Sequence, residues 1–225
     1  MHIAIMVAMD KELQLLLSVM PNNKEVRVGT QNYFLGEIGN HKVVVGKCGI
    51  GKVNAALNTL RIINEIHPDL VINTGVAGGA SLDMHVGDVL AADKIAYHDV
   101  WCGPGTEYGA ADGYGRFFQA WQPGLDAIKK MNGEVKFGLI CSGDKFIHTE
   151  EEVKEIRSKF PEVLAVDMES AAISHACAQT HTPCLIIRVM SDTPGSGDNV
   201  AQYKDFWEKA PEKTLGIVTN LIESL

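Results

Sequence analysis

Apolar and polar positions follow two regimes along this chain. Short runs rich in β-branched residues, HIAIMVA from His2, KVVVGKCG from Lys42, DLVINTG from Asp69, DVLAADKIAYH from Asp88, KFGLICSG from Lys136, LAVD from Leu164 and CLIIRVMSD from Cys184, have the length and composition of buried strands. Between most of them, apolar residues return every three or four positions, which predicts helices over 11–20, 51–67, 123–131, 149–160, 169–179 and 202–224. Strand and helix in alternation predict an α/β fold with a mainly parallel sheet covered by helices. No repeat, low-complexity tract or linker interrupts the pattern, so a single domain over 1–225 is expected. The one long stretch without regular signal, 101–122, is rich in glycine and aromatic residues, and a loop of that size in a compact domain is expected to be functional.

Composition narrows the partners. With 225 residues and 46% apolar content, the chain can bury a sizeable core. A net charge of -8 argues against nucleic acid or an anionic membrane surface, because neither gains from meeting an acidic protein; a small molecule is expected instead. The five cysteines, Cys48, Cys102, Cys141, Cys177 and Cys184, are odd in number and never in a CxxC spacing. That pattern indicates neither a disulfide framework nor a zinc site and fits a reducing cytosol. The N-terminus runs straight into a strand without a basic leader, and no apolar run reaches membrane-spanning length, so a soluble cytoplasmic protein is expected.

Ligands of open parallel sheets bind at the carboxyl ends of the strands. Those ends carry Met9, Asp10 and Glu12; Gly49, Ile50 and Gly51; Thr74, Gly75, Gly78 and Gly79; Ser142, Gly143, Asp144 and Phe146; Met168 and Glu169; and Ser191 and Asp192. Three carboxylates, Glu12, Glu169 and Asp192, can converge there. The segment from Gly46 to Val53 nearly matches a phosphate-binding P-loop, but Val53 stands where a hydroxyl should bind magnesium; read as a dinucleotide fingerprint, it has Asn54 in place of the third glycine. Neither cofactor is therefore expected. The glycines of NTGVAGG let the backbone turn tightly and approach a ligand, or form a plain strand-to-helix turn.

Each candidate also has a structural reading. Glu12 suits the first turn of a helix, where the dipole favours a carboxylate. Asp192, before Thr193-Pro194-Gly195, suits a turn cap. Glu169 suits a solvated helix start, and Phe146 suits the core. Thr149 with Glu152 fits a capping box. His98 beside Asp99 lacks any further ligand or nucleophile. Arg188, inside an apolar strand, is the exception: a buried guanidinium needs carboxylate partners, and Glu12 and Glu169 are the expected ones.

The motifs MVAMDKE, GIGKVNAA, NTGVAGG, VGD, YHD, CSGDKFI, AVDMESAA and RVMSD occur in this order over nearly the whole chain. Together they resemble the bacterial methylthioadenosine/S-adenosylhomocysteine nucleosidases of the purine nucleoside phosphorylase superfamily. The resemblance implies a nucleoside phosphorylase-like, three-layer α/β/α fold around a mixed, twisted central sheet, a single nucleosidase domain, a homodimer and a place in methionine salvage and nucleoside catabolism. It implies that Asp192 protonates the purine at N7, that Glu12 takes a proton from the attacking water and that Arg188 helps to orient that water. Glu169 would hold the ribose hydroxyls, Phe146 would stack on the purine, backbone groups of Ile147 would read its edge, and Met168 would pack under the sugar. Met9 and Ile50 would line the sugar and thioether region, with Val76, Gly78 and Ser191 beside them. No metal or organic cofactor is implied, because carboxylates perform the acid and base work.

Three rivals remain. A phosphorylase of the same superfamily needs a cationic anchor for phosphate, and MVAMDKE and INTGVAGG carry no arginine where such enzymes have one. A futalosine-type hydrolase would differ only at the ribose 5′ group. A silent nucleoside sensor would not need the set Glu12, Arg188 and Asp192. Two departures from the family pattern stand out: Val76 where a Ser or Thr is frequent, and the loop WCGPGTEYG, which lacks the aromatic spacing with which many members cover the thioether from the partner subunit. Trp101 or Tyr108 would substitute there, and Tyr203 or Phe206 would close the site from the last helix.

Overall fold

The computed structural model describes residues 1–131, 133–209 and 212–225. In chain order the elements are β1 (His2–Val7), α1 (Asp10–Ser18), β2 (Lys24–Val28), β3 (Gln31–Ile38), β4 (His41–Lys47), α2 (Lys52–Ile66), β5 (Leu70–Gly79), β6 (Val89–Tyr97), β7 (Phe118–Gln119), α3 (Gln122–Lys130), β8 (Val135–Ser142), α4 (Glu150–Lys159), β9 (Val163–Asp167), α5 (Ser170–Gln179), β10 (Cys184–Asp192), α6 (Asn199–Lys209) and α7 (Glu212–Ser224).

The strands form one mixed sheet in the order β10-β6-β8-β9-β5-β1-β4-β3-β2. Strand β1 is parallel to both β4 and β5, β5 to β10, and β6 and β9 to β8. The sheet is less parallel than strand-helix alternation predicts, because β10 runs antiparallel to β6, β5 to β9, and β3 to both β2 and β4. Nor is it simply open. Strand β10 pairs with β6 on one side and β5 on the other, so β5, β9, β8, β6 and β10 close into a ring.

Why these runs are strands is visible in β1, whose alternate residues serve opposite faces. Ala4 and Met6 join a core with Ala55, Ile62 and Ile63 of α2 and Ala171, Ala172 and Ile173 of α5. Ile3, Ile5 and Val7 join a second core with Leu13 and Leu16 of α1, Leu125 and Ile128 of α3, and Val218, Leu221 and Ile222 of α7. Helices on both faces make three layers, and burial on both faces is why the run reads as continuously apolar rather than alternating. A third cluster holds α4 through Val153 and Ile156 against Leu139, Cys141 and Val163. Among the described residues, no helix is long and apolar enough to cross a membrane.

The hairpin β2–β3 does not stand out in the sequence, because KEVRV and QNYFLGEI bury only part of one face at the sheet edge and so form no apolar run. The helix expected over 202–224 is seen as α6, which starts earlier, and α7; residues 210 and 211 between them lie outside the described residues. The glycines of NTGVAGG form no turn: β5 continues through Gly79, and Gly78 and Gly79 pair with Val166 and Ala165 of β9.

Candidate active site

The carboxyl ends of β1, β5, β9 and β10 open into a cleft of about 120 Å³. Met9, Glu12, Ile50, Val76, Gly78, Phe146, Ile147, Met168, Glu169, Arg188, Ser191, Asp192 and Tyr203 all line it, joined by Ala8, Ala77, Lys145, Val166 and Asp167. The expected site residues are thus brought together.

Glu12 is both a helix-start carboxylate and a site group. It occupies the third position of α1, and its Oε2 accepts hydrogen bonds from the backbone N–H groups of Ala8 (2.8 Å) and Met9 (2.9 Å), donors left open at the helix start. Among the described residues, its Oε1 receives only the longer donation of the Val76 N–H, at 3.3 Å. With 6% of its surface exposed, burial raises its pKa more than the charge of Arg188 and the three amides lower it. A carboxylate in this state is a stronger base than one in water.

Asp192 closes β10 beyond a register shift against β5 that falls between Met190 and Asp192, a device that re-aims side chains at strand ends. Its Oδ1 accepts from the Ser191 hydroxyl at 2.7 Å and its Oδ2 from Asn199 Nδ2 at 3.3 Å. Burial pushes its pKa up against these two donors, with no cation opposing it. Asp192 therefore holds its proton to higher pH than an ordinary aspartate, which suits a group that has to donate one.

Glu169 caps α5 and reaches across to α2, where its Oε1 accepts from the Gly51 N–H at 2.9 Å. Burial, then repulsion from Asp167, pushes its pKa up to about 7. The neighbouring Lys52 N–H donates to Asp144 Oδ1 at 2.7 Å. The near P-loop therefore spends its helix N-terminus on the chain's own carboxylates, and a phosphate would meet negative charge where it needs free amides.

Arg188, 1% exposed in the middle of β10, is not held by Glu12 or Glu169 as expected. Its Nε (3.0 Å) and Nη2 (2.7 Å) donate to Asp167 Oδ2, and Nη2 also donates to Asn73 Oδ1 (2.5 Å) and Ser170 Oγ (3.1 Å). Asp167, at the end of β9, sits on the guanidinium edge, while Glu12 is already engaged by backbone amides. Asp167, Asn73 and Ser170 were not singled out from sequence, although a carboxylate closing the apolar run LAVD is the same kind of signal as Arg188. The role of Gly75 emerges beside them: at φ +151°, a Cβ there would lie 2.3 Å from Glu12 Oε1 and 2.6 Å from Arg188 Nη1.

At the mouth, Phe146 (43% exposed) and Ile50 (53% exposed) leave apolar surface open, so Phe146 is not a core residue. Its ring stands edge-on to Tyr203 at 5.8 Å, and the Tyr203 hydroxyl donates to Met9 Sδ at 3.3 Å. Lys145 forms an ion pair with Glu152, whose capping box with Thr149 is as expected. Phe206, the other cover expected from the last helix, does not line the cleft. It is buried in the core beneath α6; Tyr108 packs on Phe160 and donates to the His98 carbonyl; and Trp101 does not line the cleft. Several aromatics of the loop turn inward, Tyr114 and Phe118 onto His175 and Phe117 onto Phe160, while Trp101 is exposed.

The chain matches the sequence model of the phosphorylase superfamily over residues 2–223. It is 35% identical over 230 residues to a 5′-methylthioadenosine/S-adenosylhomocysteine nucleosidase of Desulfotalea psychrophila, covering 100% of this chain and 98% of that one. A protein of the same name from Geobacillus thermodenitrificans is 36% identical over 228 residues, covering 99% and 96%. Among solved structures, the nucleosidase of that name from Neisseria meningitidis, in complex with methylthio-immucillin-A, superposes with a TM-score of 0.94 at 37% identity, covering 100% of this chain and 99% of that one. The Streptococcus pneumoniae MTA/SAH nucleosidase in complex with 8-aminoadenine gives a TM-score of 0.96 at 34% identity, covering 100% of both chains.

Proposed function

Because the chain belongs to the phosphorylase superfamily and, within it, to the 5′-methylthioadenosine/S-adenosylhomocysteine nucleosidases, we propose that this cleft hydrolyses the N-glycosidic bond of both nucleosides, releasing adenine and the thioribose. Breaking that bond builds positive charge on the ribose and negative charge on the leaving base. Asp192, whose pKa is raised by burial, protonates the purine at N7. Glu12 takes a proton from the attacking water on the other side, with Arg188 orienting that water and Glu169 holding the ribose hydroxyls. Each positioned proton transfer contributes roughly 10²- to 10⁴-fold, or about 3–5 kcal/mol of barrier. Phe146 stacks on the base, Ile147 reads its edge through the backbone, Met168 packs under the sugar, and Met9, Ile50 and Tyr203 enclose the thioether end. Val76, Gly78 and Ser191 complete the wall.

The observation that carries this reading is the presence in one cleft of two buried carboxyl groups, Glu12 and Asp192, neither of which forms an ion pair among the described residues. Water rather than phosphate is favoured because both cations of the wall are engaged, Arg188 by Asp167 and Lys145 by Glu152, while four carboxyl groups face the same space. The whole chain reads as one nucleosidase domain, at work in the cytoplasm on methionine salvage and nucleoside catabolism. A homodimer is supported by Val53 and Leu57, one turn apart and exposed on α2, close to the cleft residue Ile50.

Product analysis with methylthioadenosine, in buffer with and without phosphate, tests the proposal. Adenine and free methylthioribose without phosphate, together with loss of most activity in Glu12→Gln and Asp192→Asn, are the expected results. Turnover that requires phosphate and yields a sugar phosphate would overturn hydrolysis.

A further inference from the structure

Arg188 and Glu12 approach the same point above Gly75, yet they form no ion pair; among the described residues, the one carboxylate paired with Arg188 is Asp167. That pairing is built rather than incidental. Asp167 Oδ2 takes two donors of the guanidinium, and its Oδ1 accepts from the Ser142 hydroxyl at 2.5 Å. Ser170 donates to it through both its backbone N–H and its hydroxyl. Ser142 is fixed in turn by the Ala171 N–H at 2.8 Å, and Asn73, a further acceptor of Nη2, donates to the Met6 carbonyl at 2.8 Å. One buried network thus ties β1, β5, β8, β9, α5 and β10 around a single cation.

We propose that Asp167 is a positioning residue: it takes up the charge of Arg188 and fixes the guanidinium, so that Glu12 stays unpaired and remains able to accept a proton from water. This rests on the hydrolytic reading given above. A buried cation without its partner seeks another, and the nearest carboxylates are Glu12 and Glu169, on both of which Arg188 already acts through space. Without Asp167, the positive charge would draw Glu12 toward an ion pair and weaken it as a base. Direct contact of Asp167 with substrate is not required.

The test compares Asp167→Asn, Asp167→Glu and Ser142→Ala with the unaltered enzyme, each checked for folding by circular dichroism, with methylthioadenosine as substrate across pH. Asp167→Asn is expected to lower kcat by about 10- to 100-fold, the range of a misplaced catalytic group, to change KM much less, and to move the acid limb of kcat/KM to lower pH. Asp167→Glu, which keeps the charge, is expected to restore the position of that limb and part of kcat. A folded Asp167→Asn enzyme with the original acid limb would overturn the proposal, as would a folded Asp167→Glu enzyme whose limb moves as far as that of the amide. Should Asp167→Asn fail to fold, Ser142→Ala decides: it releases Oδ1 while keeping every charge, and a lower kcat at unchanged KM is expected, whereas unaltered kcat overturns the positioning role. Glu12→Gln assayed alongside separates this from a failure of the hydrolytic reading, because that reading falls if Glu12→Gln stays active whatever Asp167 does.

Discussion

Glu169→Gln should make the protein more stable and less active. The carboxyl group is buried at the start of α5, and its pKa lies at about 7 against 4.5 for an ordinary glutamate. As pH rises through about 4.5, the unfolded chain loses this proton first, while the folded chain keeps it until about 7. The folded state therefore binds more protons across that window, and stability falls with rising pH until the native group has also ionised. At roughly 1.4 kcal/mol per unit, holding the ionised group costs up to about 3 kcal/mol above the window. Glutamine keeps the carbonyl that accepts from the Gly51 N–H and carries no charge. Urea unfolding of both proteins at about pH 5 and about pH 8, at one fixed protein concentration, measures the effect. The variant should gain on the parent by about 2 kcal/mol between the two conditions, while adenine release declines because the ribose hydroxyls lose their ionic acceptor. A stability gap that stays flat across this range, or a variant less stable than the parent at about pH 8, refutes the reasoning.

Three further outcomes are expected. Phe146→Ala should leave the melting temperature unchanged, since the ring is half exposed, and raise KM by about 5- to 150-fold through the loss of about 1–3 kcal/mol of base stacking; steady-state kinetics checks it. Gly75→Ala should destabilise the protein and cut activity about 100-fold or more, because the new methyl meets Glu12 and Arg188 at distances no real Cβ tolerates; a variant of parental melting temperature and activity would contradict that account of the glycine. The pH dependence of kcat/KM should be bell-shaped, rising as Glu12 ionises above the usual carboxylate range and falling as Asp192 gives up its proton, with each limb abolished by the corresponding amide substitution.

Much of the site was legible because its residues end apolar strands. Asp192 and Arg188 interrupt a run that nothing polar should enter unpaired, and Glu12 follows one within five residues. What stayed hidden depends on which strands become neighbours. Asp167 lies 21 residues from Arg188, and Asn73 lies 115 away; only the parallel register of β5 with β10 and the antiparallel pairing of β9 with β5 bring them together. Gly75 was legible as a special glycine but not as the contact point of two charged side chains. The hairpin β2–β3 and the closure of the sheet escaped for a related reason: a one-sided edge leaves little apolar signal, and the antiparallel seam between β10 and β6 is a tertiary event. In the loop 101–122, Tyr108, Tyr114 and Phe117 pack internally against Phe160 and His175, while Trp101 stays exposed.

The closed half of the sheet also governs how copies of this chain can meet. A ring has no strand edge to offer, so the long unpaired backbone lies at the far end, along β2. There Lys24, Glu25 and Arg27 are exposed in a five-residue strand, and an incoming strand would have to desolvate all three charges. Backbone-mediated accretion, the usual hazard of a large sheet, is thus opposed along β2. Self-association is left to side-chain surfaces, where the sequence can set its geometry and strength.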